Sequence, residues 1–147
     1  MKNYLTISLL VIAIFFNSCT NGQKQSSGST NLSATEFAQK IKELPSAPII
    51  DVRTHEEFSK AHLNYTTNVD WNGNDFEKQI SKRDKSKPVL VYCLSGGRSS
   101  AAAAQMRSEG FKQVYELAGG IMKWRGANLP ETNKRWWALF HYFPNTK

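Results

Sequence analysis

The chain has 147 residues, 40% of them hydrophobic, and its 19 Lys and Arg against 12 Asp and Glu leave a formal charge of +7. That is a normal single-domain length, able to bury a core without staples. Only two cysteines and three scattered histidines (His55, His62 and His141) argue against a disulfide framework or a metal cluster.

In chain order, Lys2 precedes a mostly apolar run from Leu5 to Phe16, followed by Asn17-Ser18-Cys19. The run is too short to span a bilayer, which takes about 20 apolar residues. A charged start followed by an apolar stretch reads as a signal peptide over 1–18. The cysteine after a small residue resembles a bacterial lipoprotein junction, which implies lipidation of Cys19 and a protein exported and held on a membrane, facing the periplasm. Ordinary secretion with an incidental cysteine is the alternative. Residues 19–31 then form the lipidated Cys and a Ser/Gly/Gln/Asn-rich linker, which could reach about 40 Å when extended.

From residue 32 the pattern changes. Ser33-Ala34-Thr35-Glu36 is a capping box opening a helix to about Leu44. Pro48 to Val52 reads as a central strand. Thr54-His55-Glu56-Glu57 is a second capping box, for a short helix. Thr67 to Val69 reads as a short strand, Asp75 to about Ser81 as a helix and Pro88 to Tyr92 as a buried strand. Ser99 to Glu109 reads as a helix whose alanines allow close approach to the sheet. Gln113 to Glu116 closes the strands, and Gly120 to Arg125 is a last helix. Strands alternating with helices predict a parallel α/β sheet covered on both faces. Catalytic loops then sit at the carboxyl ends of the strands.

Cys93 stands where the strand ending at Tyr92 hands over to Leu94-Ser95-Gly96-Gly97-Arg98-Ser99. The glycines let the backbone curl so that several N–H groups point inward at a helix N-terminus. Such a nest lowers a thiol pKa, and Arg98 adds a fixed positive charge. A buried strand-end cysteine serving only as core is the competing account. In an exported protein an unpaired thiol calls for a reason, and a Cys19–Cys93 disulfide would leave no nucleophile.

Three further segments bear on this: Ile49-Ile50-Asp51-Val52-Arg53-Thr54-His55-Glu56-Glu57-Phe58, Ala61-His62-Leu63, and Gly119-Gly120-Ile121-Met122-Lys123-Trp124. With the Cys93 loop, in this order, they resemble a single rhodanese-like domain over roughly 32–130, followed by an extension over 131–147. The resemblance implies a three-layer α/β domain with a parallel sheet of about five strands. It implies a sulfurtransferase that takes a sulfane sulfur onto Cys93 as a persulfide, from thiosulfate or a persulfide, and passes it to a thiol or cyanide. Leu94, Ser95, Gly96, Gly97 and Arg98 become the anion-binding loop. No cofactor and no metal is implied. Related phosphatases and arsenate reductases have a longer spacer between Cys and Arg, so the shorter loop here suits a single sulfur better than a tetrahedral phosphate.

The chain departs from the family after the second helix, where Asn64-Tyr65 replaces a Pro-Gly turn; Asn64 can take the left-handed conformation. His62 reads as a structural hydrogen-bonding residue. Asp51 and Arg53 have two open readings: Arg53 borders the pocket and attracts an anion, or both order the loop by pairing with its amides, with Arg98 or with a neighbour such as Glu57. Nucleic acid is the generic partner of a basic surface, but an exported lipoprotein rarely meets it. The aromatic run holding Trp136, Trp137, Phe140 and Tyr142 either docks back on the domain or contacts a membrane or a protein partner. A non-catalytic rhodanese-like module, binding a partner through that run, is the reading from another class.

Overall fold

The computed structural model describes residues 30–132. The signal peptide, Cys19, most of the linker and the aromatic run from Trp136 to Phe143 lie outside the described residues. The elements are β1 (Asn31–Leu32), α1 (Ala34–Glu43), β2 (Ile49–Asp51), α2 (His55–Lys60), β3 (Thr66–Asn68), α3 (Phe76–Ser81), β4 (Val89–Tyr92), α4 (Gly97–Ser108), β5 (Val114–Leu117) and α5 (Gly120–Gly126). The strands form one five-stranded sheet in the order β1-β5-β4-β2-β3, parallel throughout.

Alternation along the strands sorts the core into two layers. Val89, Val91 and Cys93 point toward the side covered by α3 and α4, where Phe76, Ile80, Ala102, Ala103 and Met106 are buried. Leu90 and Tyr92 point to the opposite side, against Phe37 of α1 and Ile121 and Trp124 of α5. Ala102 and Ala103 are fully buried, so the alanine run of α4 does let that helix lie close to the sheet; Ala101 and Ala104 face outward. Both capping boxes form, at Ser33 with Glu36 and at Thr54 with Glu57. Each replaces orphan N–H groups at a helix start with bonded ones, worth about 1 kcal/mol.

Three details differ from the sequence reading. The linker does not run through Asn31: Thr30 O accepts from Glu116 N at 2.6 Å and Leu32 O from Ala118 N at 2.8 Å. Polar Thr30 and Asn31 carry no strand signal; the strand's backbone pairs with β5, and its apolar residue Leu32 is buried in the core. At the other end the chain past Pro130 still belongs to the domain, since Thr132 pairs with His62 in an antiparallel bridge and Glu131 meets Arg125 at 2.8 Å. The left-handed residue in the turn is Tyr65, at φ 59°, rather than Asn64. His62 has the structural role expected: Nδ1 lies 2.9 Å from Phe58 O and the ring stacks on Phe58.

The chain order places a switch point between β2 and β4: the chain goes from β2 outward to β3, then returns to the other side of β2 for β4. By the general rule for α/β sheets, the loops leaving β2 and β4 diverge at such a point, and a binding crevice is expected at the strand carboxyl ends. One side of that crevice is fixed by a buried ion pair. Arg53 and Asp51 are 2% and 0% exposed and meet at 2.6 Å. Arg53 Nη2 also donates to Ala61 O at 2.8 Å, and Asn68 Nδ2 donates to the carbonyls of Asp51 and Arg53. The pair therefore ties the end of β2 to the segment after α2 and to β3. Asp51→Asn leaves Arg53 buried without its counter-charge and is expected to destabilise the domain by about 3–5 kcal/mol, read as a fall in the urea midpoint with the slope unchanged.

Candidate active site

Cys93 is the first residue after β4, 1% exposed, with its sulfur beneath the turn that leads into α4. Gly96 sits at φ 104°, in the left-handed region where a side chain is strained. That turn of the backbone aims Gly96 N at Cys93 Sγ, 3.1 Å away. The Ser99 hydroxyl lies 3.4 Å from the same sulfur and 3.0 Å from Gly96 O. Burial pushes the thiol pKa up, but the bonds from Ser99, Gly96 and Ser95 together outweigh it, and the net shift is downward. The Gly96 amide and the Ser99 hydroxyl favour a thiolate on this sulfur, which a cysteine serving only as core does not require.

The helix begins two residues earlier than the sequence pattern implies, at Gly97 rather than Ser99. Gly97 and Arg98 are therefore its first turn, and the sulfur lies at the N-terminus of a 12-residue helix, where partial positive charge gathers. A Cβ on Gly97 would meet nothing within 4 Å, so that glycine is not required by space.

The Gly119-Gly120 segment braces the loop from behind. Ile121 N donates to Cys93 O at 2.9 Å and Met122 N to Leu94 O at 3.1 Å. These bonds take up the loop carbonyls, so the amides that follow can turn toward the sulfur. The contact needs a bare backbone: a Cβ on Gly120, at φ 60°, would stand 2.5 Å from both Cys93 O and Leu94 O.

Arg98 does not stand free in the loop. Its Nη1 and Nη2 donate to Glu57 Oε2 and Oε1 at 2.7 and 2.8 Å, a two-pronged pair of the strong kind. The bonds from Arg98, against the opposing effect of burial and with help from Thr54, hold the Glu57 carboxyl at about 2 instead of 4.5. Glu57 thus does two jobs. It caps α2 through Thr54 N at 3.1 Å and fastens the α4 start to the α2 start.

Arg53 requires a correction. As a pocket-border residue it would present its guanidinium to an incoming anion. Instead the group is enclosed and bonded to both oxygens of Asp51 and to Ala61 O. Asp51 and Arg53 pair with each other, not with Arg98 or the loop amides. The structure brings together Cys93, Ser95, Gly96, Arg98 and, unforeseen as site residues, Ser99 and Glu57. The signal for Ser99 was its place closing the Cys93 run; Glu57 was already accounted for as a helix cap. Among the described residues no group of three or more His, Cys, Asp or Glu side chains gathers in a way that could hold a metal ion.

Residues 33–127 match the family described as Rhodanese-like domain. The thiosulfate sulfurtransferase GlpE of Pseudomonas savastanoi pv. phaseolicola is 34% identical over 97 residues, covering 66% of this chain and 89% of that protein. YrkF of Bacillus subtilis is 30% identical over 106 residues, 72% of this chain, and the match spans 56% of that longer protein. The solution structure of a rhodanese-like domain from Anabaena sp. superposes with a TM-score of 0.63 at 22% identity, covering 82% of this chain and 88% of that one. At that identity the likeness concerns the fold.

Ser99→Ala removes one donor to the sulfur. The pH profile of Cys93 alkylation by iodoacetamide is expected to move to higher pH; an unmoved profile would show that the hydroxyl does not act on the thiolate. The Glu57–Arg98 pair sets an acid limit. Because the folded-state carboxyl titrates lower than an unfolded one, its stabilisation is fully present above about pH 4.5 and is lost as pH falls toward about 2. Wild-type stability should fall more steeply across that window than that of Glu57→Gln, measured by urea unfolding at a series of pH values.

Proposed function

This chain belongs to the rhodanese-like family, and on that footing we propose that it is a sulfurtransferase whose nucleophile is Cys93. The observation that carries this reading is the convergence of the Gly96 amide, at 3.1 Å, and the Ser99 hydroxyl, at 3.4 Å, on the Cys93 sulfur. In the first step the Cys93 thiolate attacks the sulfane sulfur of the donor. A bond forms between the two sulfurs as the donor's own sulfur–sulfur bond breaks. Sulfite leaves if the donor is thiosulfate; a thiolate leaves if it is a persulfide. Cys93 then carries a terminal sulfur anion. In the second step an acceptor thiolate or cyanide attacks that terminal sulfur, and the Cys93 thiolate is released. Negative charge lies in the loop before, between and after the two steps, so one set of donors serves throughout. No proton relay or cofactor is needed for the balance.

Two features weigh against phosphoryl chemistry. The spacer Leu94–Gly97 is short, and Arg98 has its two outer nitrogens on Glu57, where a phosphate would need them. We further propose, from Lys2, the apolar run and the Asn17-Ser18-Cys19 junction, that the domain is exported and anchored through a lipid on Cys19, with residues 20–30 as its tether. The aromatic residues Trp136, Trp137, Phe140 and Tyr142 are proposed as a contact for membrane or protein.

The test is sulfur transfer from thiosulfate and from a small persulfide to cyanide or a thiol, beside hydrolysis of a phosphate ester. Cys93→Ser is expected to lose all transfer with its unfolding curve unchanged, since an oxygen cannot hold a persulfide. Transfer surviving in Cys93→Ser, or hydrolysis exceeding transfer in the wild type, would refute the assignment.

A further inference from the structure

The residues from Cys93 to Ser99 include a single cation, Arg98, and its two outer nitrogens are both on the Glu57 carboxylate. The Arg98 and Glu57 side chains are only 24% and 26% exposed, so their fields are incompletely screened by water. The charge at the mouth of the loop is therefore not that of an arginine but of a neutral pair. The Cys93 thiolate and the Asp70 carboxylate, both of which act on Arg98, add negative charge. A doubly charged donor entering here gains little from Arg98 and is repelled by the thiolate it must meet. A singly charged donor meets half that repulsion.

We infer that Glu57 is a specificity-determining residue: by holding Arg98 it makes the site favour singly charged persulfide donors over doubly charged thiosulfate. The inference rests on the sulfurtransferase reading and adds to it the class of donor. The reactions differ in the charge brought in. Thiosulfate brings a dianion and gives up sulfite, also a dianion. A persulfide anion brings one charge and gives up a thiolate. In both, the Cys93 thiolate gains a terminal sulfur and the charge of the loop returns to one. Glu57 touches neither the donor nor the reacting sulfur, and acts through Arg98.

Glu57→Gln tests this without dismantling α2, because glutamine is the other residue that completes a capping box. Two ratios are read in the full-length protein. The first is kcat/KM for thiosulfate over kcat/KM for cysteine persulfide. The second is the alkylation rate of Cys93 by anionic iodoacetate over that by neutral iodoacetamide. With the arginine released, both ratios are expected to rise by roughly two- to five-fold at low salt, the scale of one partly shielded charge pair, and the rise should shrink at high salt. A merely structural role would lower both members of each ratio together and leave the ratios unmoved. Unmoved or falling ratios, with sulfur uptake by the wild type intact, would overturn the inference alone. Absence of sulfur uptake by the wild type from either donor would overturn the sulfurtransferase reading, and the donor preference with it.

Discussion

The carbonyls of Cys93 and Leu94 are taken up by Ile121 N and Met122 N at 2.9 and 3.1 Å, and this outward turn determines what the rest of the loop can do. A peptide whose oxygen points away must point a hydrogen elsewhere. Further along the same turn, Gly96 N faces inward, 3.1 Å from the sulfur. The bracing works only because α5 approaches the loop with no side chain in the way, at Gly120. The chemistry of Cys93 thus depends on a helix starting more than two dozen residues later, and the β4–α4 turn is a joint assembly rather than a self-contained motif.

The other side of the crevice is set by the segment after β2. Its buried Asp51–Arg53 pair and its partly buried Glu57–Arg98 pair both join a carboxylate to an arginine, for different ends. The first is fully enclosed and binds neighbouring segments together. The second reaches across to α4 and couples the start of one helix to the start of another. An enclosed pair of this kind contributes little beyond the alternative of a packed apolar contact, but its loss is severe once one partner is gone. The second pair, 24% and 26% exposed, lies beside the loop and stays within reach of water.

Much of this was legible in the sequence. The capping boxes at Ser33 and Thr54, the buried strand before Cys93 and the alternation of strands with helices each rest on local rules, and the structure places elements there to within a residue or two. The family's motifs carried the five-stranded parallel sheet and the loop position. What local rules cannot see is pairing across the chain. Asn31–Leu32 is a strand only because β5 offers it an edge. Glu57 looked complete as a cap, and its second bond, to Arg98, spans 41 residues. Arg53 could equally have pointed into the crevice or the core; the packing around Ala61 and Asp51 decided it. Tyr65 rather than Asn64 takes the left-handed position; its side chain is 97% exposed, and no local residue preference marks it for that role.

In the proposed reaction the loop's amides receive the transferred sulfur. The most direct test is a crystal structure of the protein after incubation with a sulfane donor. A terminal sulfur bonded to Cys93 Sγ, within hydrogen-bond distance of the inward-facing amides of the Ser95–Ser99 turn, is the predicted result. A persulfide turned away from those amides, or a Cys93 left unmodified while sulfur transfer proceeds, would contradict it.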